Sequence, residues 1–112
     1  MFNRNEIEAT FGGRTLAQMI GITGVDAVNI AEKGCDLLEA GAFDEAQHVF
    51  EGLVVLNPRD GATWASLGVV YEKQGRAADA KSAWATSLEL DPSNKLARER
   101  LAQREEPKRG AK

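Results

Sequence analysis

Six residues of this chain recur at one fixed interval, and that interval restricts the available folds more than any other feature. The recurring pairs, all with the same spacing, are Gly34 and Gly68, Gly41 and Gly75, Ala46 and Ala80, Phe50 and Trp84, Leu56 and Leu90, and Pro58 and Pro92. A period of this length, about 34 residues, indicates a repeat architecture in which each unit is one supersecondary element stacked on the next. We expect two units, at residues 27–60 and 61–94.

Helix start and stop signals follow the same period. Gly41 and Gly75 are expected to end the first helix of each unit, because glycine tolerates the left-handed conformation of a C-cap. The second helices are expected to stop before proline, which cannot continue a helix. The remaining signals are a capping box formed by Asp44 and Gln47, N-caps at Asp60 and Ser93, and stops at Pro58 and Pro92. No alternating strand pattern competes with these helices, so the predicted class is all-α.

The second unit carries a family pattern. Its residues are Trp64, Leu67, Gly68, Tyr71, Ala80, Trp84 and Pro92. This resembles the tetratricopeptide repeat, with Trp84 where the family usually has phenylalanine. The first unit is degenerate but keeps the small and aromatic positions Gly34, Ala46 and Phe50. The resemblance implies a short α-solenoid of two helix–turn–helix repeats, with Gly68 and Ala80 small because the paired helices cross there.

Three segments flank the two repeats. Residues 1–13 are expected to be flexible, and residues 106–112 to form a disordered tail. Between them, residues 14–105 make up the predicted helical domain, which includes a terminal capping helix at residues 95–105. Leu16, Met19 and Ile20 share one helical face near the start of this domain. That face either caps the first repeat or forms a homodimer contact through residues 14–22.

A second resemblance concerns the first half of the chain. The run from Gly12 to Ala17, together with Gly41 to Phe50 and Leu53, is similar to class II type III secretion chaperones. Those proteins are small, acidic and cytoplasmic, and they hold the hydrophobic translocator subunits of a bacterial secretion needle before export. Members usually carry three repeats, whereas this chain has two and one terminal helix.

The tetratricopeptide resemblance also implies a binding groove lined by the first helix of each repeat. The groove positions it implies are Val28, Ala31, Cys35, Leu38, Ala62, Ala65, Val69, Glu72 and Lys73. This lining is mostly small and apolar, so we expect an apolar client segment. Some repeat domains clamp a terminal carboxylate with Lys, Asn and Arg, but only Lys73 matches here. The alternative is that residues 14–22 fold back and cover the groove.

Composition excludes several other functions. The chain has 14 basic and 17 acidic residues and a net charge of −3, which gives no basic field for nucleic acid. No apolar run approaches the ~20 residues that a membrane span needs. The N-terminus lacks the plan of a secretory signal, and the single cysteine fits a reducing compartment, so the cytoplasm is the expected location.

Catalysis is not expected either. His48 is the single histidine and is interpreted as a surface residue, and Cys35 as a small hydrophobe at a helix–helix contact. Neither has a partner that would make a nucleophile–base pair or a zinc site, so no cofactor or metal is predicted. Two function classes remain: a protein-binding adaptor or small chaperone, and a structural subunit that uses the repeats as a permanent packing surface.

Overall fold

The structure is a computed structural model that describes Gly21 and residues 23–110, with side chains up to Gln103. The described residues form helices and no strand, which confirms the all-α class. In chain order the helices are α1 (Gly24–Glu39), α2 (Phe43–Leu56), α3 (Gly61–Lys73), α4 (Ala77–Leu90) and α5 (Lys95–Gly110). Each helix packs against the next, so the chain forms a short stack of antiparallel pairs.

The period of the sequence is reproduced in the helix boundaries. Helix α4 begins and ends one full period after α2, and α5 begins one full period after α3. Helices α1 and α2 form the first repeat, and α3 and α4 form the second. Helix α5 packs on α4 in the position that the first helix of a further repeat would take.

The two predicted glycine stops are confirmed. Gly41 and Gly75 have φ angles of +82° and +79°, in the left-handed region that favours glycine. The residue after Gly41 donates its N–H to the Leu37 carbonyl at 2.9 Å, and the residue after Gly75 donates to the Tyr71 carbonyl at 2.8 Å. These bonds, with those from the glycine N–H groups, are Schellman motifs that satisfy the last carbonyls of α1 and α3.

Helix starts agree with the sequence signals in part. Asp60 caps α3 as predicted, because its side chain accepts a hydrogen bond from the Ala62 N–H at 3.1 Å. Helix α1 begins before the expected start of the first repeat. There Thr23 and Asp26 form a capping box, in which the Thr23 hydroxyl accepts from the Asp26 N–H and the Asp26 carboxylate accepts from the Thr23 N–H.

Two predicted caps were wrong. Helix α2 has no side-chain cap, and its first-turn residue Asp44 instead accepts a hydrogen bond from Gln74 of the next repeat at 2.8 Å. At α5 the cap is one residue later than predicted: the Asn94 side chain accepts from the Ala97 N–H at 2.9 Å. The Ser93 hydroxyl donates to the Asp91 carboxylate at 2.7 Å and so belongs to the preceding turn.

The terminal helix is longer than the sequence predicts. The sequence predicts an end at Glu105, but α5 continues to Gly110. Pro107 removes one backbone hydrogen bond from the helix. The neighbouring Glu, Lys and Arg residues have favourable helix propensities, which oppose that loss.

Aromatic side chains form the core at the contact of the two repeats. Trp64, Tyr71 and Trp84 are fully buried, and Phe50 lies beside them at 1% exposure. Both indoles are satisfied: the Trp64 Nε1–H donates to the Pro58 carbonyl at 2.8 Å, and the Trp84 Nε1–H donates to the Ala65 carbonyl at 3.2 Å. The large residues of the family pattern therefore fill the spaces between helices, as the resemblance implied.

Within each repeat a glycine lies directly against an aromatic ring. A Cβ atom at Gly68 would be 2.3 Å from the Trp84 Nε1 atom, and one at Gly34 would be 2.7 Å from the Phe50 ring. The two contacts lie one period apart and repeat the same helix crossing. Glycine is required at these positions by space, since the paired helices could not approach as closely around a side chain.

A chain of polar side chains joins the two repeats on one edge of the stack. The Tyr71 hydroxyl donates to Glu51 at 2.8 Å, and Gln47 donates to the same carboxylate oxygen at 2.9 Å. The Gln74 amide donates to both Asp44 and Gln47, each at 2.8 Å. These bonds fix the turn after α3 against the start of α2, so they set the position of one repeat relative to the other.

Because of this network, we predict that Tyr71, the single tyrosine of the chain, loses its proton at a higher pH than an exposed tyrosine. Burial raises the pKa of its hydroxyl, as do the hydrogen bond to Glu51 and that carboxylate's charge, while Arg76 acts weakly against them. Because the folded pKa lies above the ordinary value of about 10, the stabilising contribution is complete below pH ~10 and is lost as the pH rises further. We expect absorbance at 295 nm to show no phenolate step near pH 10 while the far-ultraviolet circular dichroism is native.

The control for this titration is the same chain in concentrated urea, where the step is expected at the ordinary pKa. A step near pH 10 in the folded protein would show that the hydroxyl is not held by Glu51 and contradict the network described above.

Of residues 14–22 the structure describes Gly21 alone, so the predicted N-terminal helix lies outside the described residues. The alternatives for residues 14–22, capping of the first repeat or a homodimer contact, therefore stay predictions.

Candidate functional site

A cleft of about 570 Å³ lies between the first helices of the two repeats. Helices α1 and α3 form its walls. The buried side chains Phe50 and Leu53 of α2 lie at its bottom, with exposures of 1% and 4%. The cleft is open to solvent along one side, so it is a surface groove and not an enclosed void.

Each wall contributes one helical face. The α1 residues that line the cleft follow spacings of three and four residues, and they are Ala27, Val28, Ala31, Glu32, Cys35 and Asp36. The opposite wall comes from the end of α2 and the start of α3, and its residues are Asn57, Asp60, Ala62, Thr63 and Ser66. Asp60 is fixed there by its capping bond and by the Thr63 hydroxyl, which donates to it at 3.0 Å.

Four of the nine groove residues implied by the resemblance line this cleft, namely Val28, Ala31, Cys35 and Ala62. The other five do not. Ala65 is buried in the core at 1% exposure, and its carbonyl accepts the Trp84 indole bond. Leu38 and Val69 are half-buried and pack against the core.

The remaining two positions lie at the end of α3. Arg100 of α5 forms an ion pair with Glu72, so this carboxylate holds α5 against the end of α3. Lys73, the last residue of α3, is exposed and lies outside the cleft. The groove is therefore confined to the junction of α1, α2 and the start of α3, where α5 does not reach.

Sequence reasoning missed the acidic residues of the cleft. Glu32 and Asp36 lie four and eight residues after Val28, so one i, i+4 row contains all three. The groove positions carried over from the family start at the same Val28 but continue through Ala31, Cys35 and Leu38 instead. Extending the row from Val28 would have shown that the lining is acidic as well as apolar.

Cys35 corrects a second interpretation. The residue was expected at a helix–helix contact, but it is exposed and lines the cleft. The helix contact on this side of α1 is made by Gly34, which is buried against Phe50. The pKa of the Cys35 thiol is raised, first by partial burial and then by the negative charges of Glu39, Asp36 and Glu32.

Residues with other chemistry lie apart from the cleft. His48 is exposed on α2 and is not among the lining residues. Within the described part of the chain, no three His, Cys, Asp or Glu side chains are placed to hold a metal ion. The same residues contain no helix that is long and apolar enough to cross a membrane.

Solved structures share this arrangement of helices. The Yersinia enterocolitica type III secretion translocator chaperone SycD superposes with a TM-score of 0.66 and 22% sequence identity, over 70% of this chain and 59% of that one. A T3SS complex from Aeromonas hydrophila gives a TM-score of 0.69 and 25% identity, over 78% of this chain and 59% of that one. The chain thus spans less than two thirds of either protein, and the likeness supports the all-α repeat fold.

Two relatives are similar to part of this chain. Protein O-mannosyl-transferase TMTC1 of Mus musculus is 33% identical over 70 residues, which are 62% of this chain and 7% of the relative. The Homo sapiens protein of the same name is 31% identical over 70 residues, or 8% of its length. The tetratricopeptide repeat family matches residues 32–95, more than half of the chain. The period of the sequence, the helix pairs and this match together place the chain in the tetratricopeptide repeat family.

Proposed function

We propose that this protein is a non-catalytic interaction module that binds a client polypeptide in the cleft between α1 and α3. The observation that carries the proposal is the cleft itself: a groove with an apolar bottom at the junction of two repeats, open to solvent. Its bottom residues Phe50 and Leu53 belong to the core, so the shape is fixed by the fold before a ligand arrives. Preformed grooves of this kind suit an extended or helical segment with side chains that enter small pockets.

The exposed apolar residues support the same site. Val28, on the wall of the cleft, is 56% exposed, although valine is usually buried in a folded domain. Exposure of an apolar side chain beside a groove is typical of a surface that a partner covers.

The sharper form of the proposal is a small chaperone or adaptor for one client. The resemblance of Gly41 to Phe50 to the secretion chaperones supports it, as does the likeness to the translocator chaperone from Yersinia. In this form the cleft holds an apolar client segment and keeps it from aggregating.

Blocking the cleft tests the proposal. Ala62 is exposed on the cleft wall, so a tyrosine there narrows the groove without entering the core. We expect Ala62→Tyr to remove a client that copurifies with the wild-type chain from native lysate, with a loss of at least tenfold in captured amount. The measurement is quantitative mass spectrometry of the captured proteins, with circular dichroism of each variant to check the fold.

The matched control is Ala85→Tyr, the same change at an exposed alanine of α4 outside the cleft. It should retain the client. Retention by Ala62→Tyr with native circular dichroism would contradict binding in this cleft. If, in addition, light scattering showed large assemblies of the purified chain, the structural-subunit alternative would replace the proposal.

A further inference from the structure

The cleft carries charge of one sign. Its lining includes the carboxylates of Glu32, Asp36 and Asp60 and, among the described residues, no lysine or arginine. The nearest basic residues in sequence, Lys33 and Arg59, do not line it. A groove with carboxylates on both walls concentrates negative potential between them, because the protein behind it excludes water.

Two of these charges have no partner within the described structure. The side chains of Glu32 and Asp36 make no ion pair or hydrogen bond with any described residue, and both are exposed. Two carboxylates elsewhere in the stack do have cationic partners: Glu72 pairs with Arg100, and Asp79 with Arg76 at 2.8 Å. Among the described residues, Glu32 and Asp36 thus bring negative charge to the groove without a cationic partner.

The thiol in the cleft reports the same field. Cys35 lies beside Glu32 and Asp36 on the α1 wall; burial raises the pKa of its thiol, and the charges of Glu39, Asp36 and Glu32 raise it further.

The bottom of the groove is apolar, in contrast to its acidic walls. Phe50 and Leu53 form it, with Ala27 and Ala31 above them. An apolar side chain placed here loses contact with water and gains contact with these residues, which favours binding in proportion to the area buried. The ligand therefore needs an apolar anchor together with groups that match the acidic walls.

We propose that the occupant of the cleft is a cationic amphipathic segment of the client: an aliphatic or aromatic side chain on Phe50 and Leu53, flanked by lysine or arginine that contacts Glu32 and Asp36. This rests on the proposed function and specifies the chemistry of the partner. Charge complementarity carries it, since an acidic segment would be repelled by both walls and a purely apolar one would leave their carboxylates in a partly dry groove without partners.

The test is selection of random twelve-residue peptides on the immobilised full-length chain. We expect the selected peptides to combine an apolar residue with flanking lysine or arginine. The best peptide should bind Glu32→Gln/Asp36→Asn roughly five- to tenfold more weakly than wild type, as fluorescence anisotropy measures, because two exposed ion pairs are lost. The matched control Glu45→Gln/Glu89→Gln removes two charges outside the cleft and should bind like wild type.

Cys35 supplies a second readout, because it is the single thiol of the chain and lines the cleft. A saturating amount of the selected peptide should slow its reaction with maleimide. Raising the salt from about 50 mM to about 500 mM should weaken binding to wild type but hardly affect the neutralised variant.

The outcomes separate the two proposals. Peptides that protect Cys35 but bind the neutralised variant equally well, or that are enriched in acidic residues, would overturn the charge inference and leave the binding function intact. Selection of no peptide that protects Cys35 would overturn both. Both would also be overturned if the free chain already shielded Cys35 to the level of the complex, because its own N-terminal segment or a second copy would then occupy the cleft.

Discussion

Replacing Gly68 with alanine is expected to destabilise the fold by about 3 kcal/mol or more, a large fraction of the stability of a domain this size. The new methyl group would be 2.3 Å from the Trp84 Nε1 atom, 2.5 Å from Cδ1 and 2.8 Å from Cε2. Trp84 is fully buried, so the indole has no open space to enter and its bond to the Ala65 carbonyl would be broken. Urea unfolding followed by circular dichroism measures the change.

Gly52 provides the matched control, because it is also a helical glycine but has nothing within 4 Å of its ideal Cβ position. Gly52→Ala should stabilise the protein by about 0.5–1 kcal/mol, through the better helix propensity of alanine. Equal effects of the two substitutions would show that the α3–α4 crossing is looser than described.

Truncation of Trp64 is the second change with a large expected effect. Trp64→Ala removes a fully buried indole at the contact of the two repeats and should cost about 3–5 kcal/mol. Trp64→Phe keeps most of the apolar volume but loses the N–H donor to Pro58, so we expect a smaller cost of about 1–3 kcal/mol. Chemical denaturation of both variants, with circular dichroism as the probe, separates the packing effect from the hydrogen bond.

An exposed apolar residue serves as the comparison for Trp64. Val25 is 70% exposed at the start of α1, so Val25→Ala should change stability by less than about 0.5 kcal/mol. If Trp64→Ala were no more harmful than Val25→Ala, the aromatic core between the repeats would not be the main source of stability.

The sequence predicted the fold better than the site, and particular residues show why. Gly41 and Gly75 determine their own backbone conformation, and Asp60 caps the helix that starts directly after it. Such signals act over one helical turn and are readable from a short window. The capping box at Asp44 and Gln47 failed because Gln74, which lies in the next repeat, bonds both side chains. A pattern read over one helical turn cannot show that a side chain from the next repeat will take these hydrogen bonds.

The lining of the cleft also depends on contacts between residues far apart in sequence. From the period of about 34 residues we can predict that one face of each first helix lines the groove. The period does not predict that α5 packs against the end of α3. That packing takes Glu72 into an ion pair and limits the groove to the first repeat junction. The row from Val28 places Glu32 and Asp36 on the cleft face of α1 from sequence alone, but only the structure brings Asp60 to the opposite wall.

The mainly sequential packing of the stack also bears on how the chain folds. Each helix contacts mainly the helix that follows it, so native contacts join residues close together in sequence. Chains with such low contact order close only short loops before they gain contacts, and they fold in roughly microseconds to milliseconds. The left-handed Gly41 and Gly75 allow the tight turns that join the two helices of each repeat. A newly synthesised copy would therefore bury its two tryptophans early, and a partner would meet a finished groove.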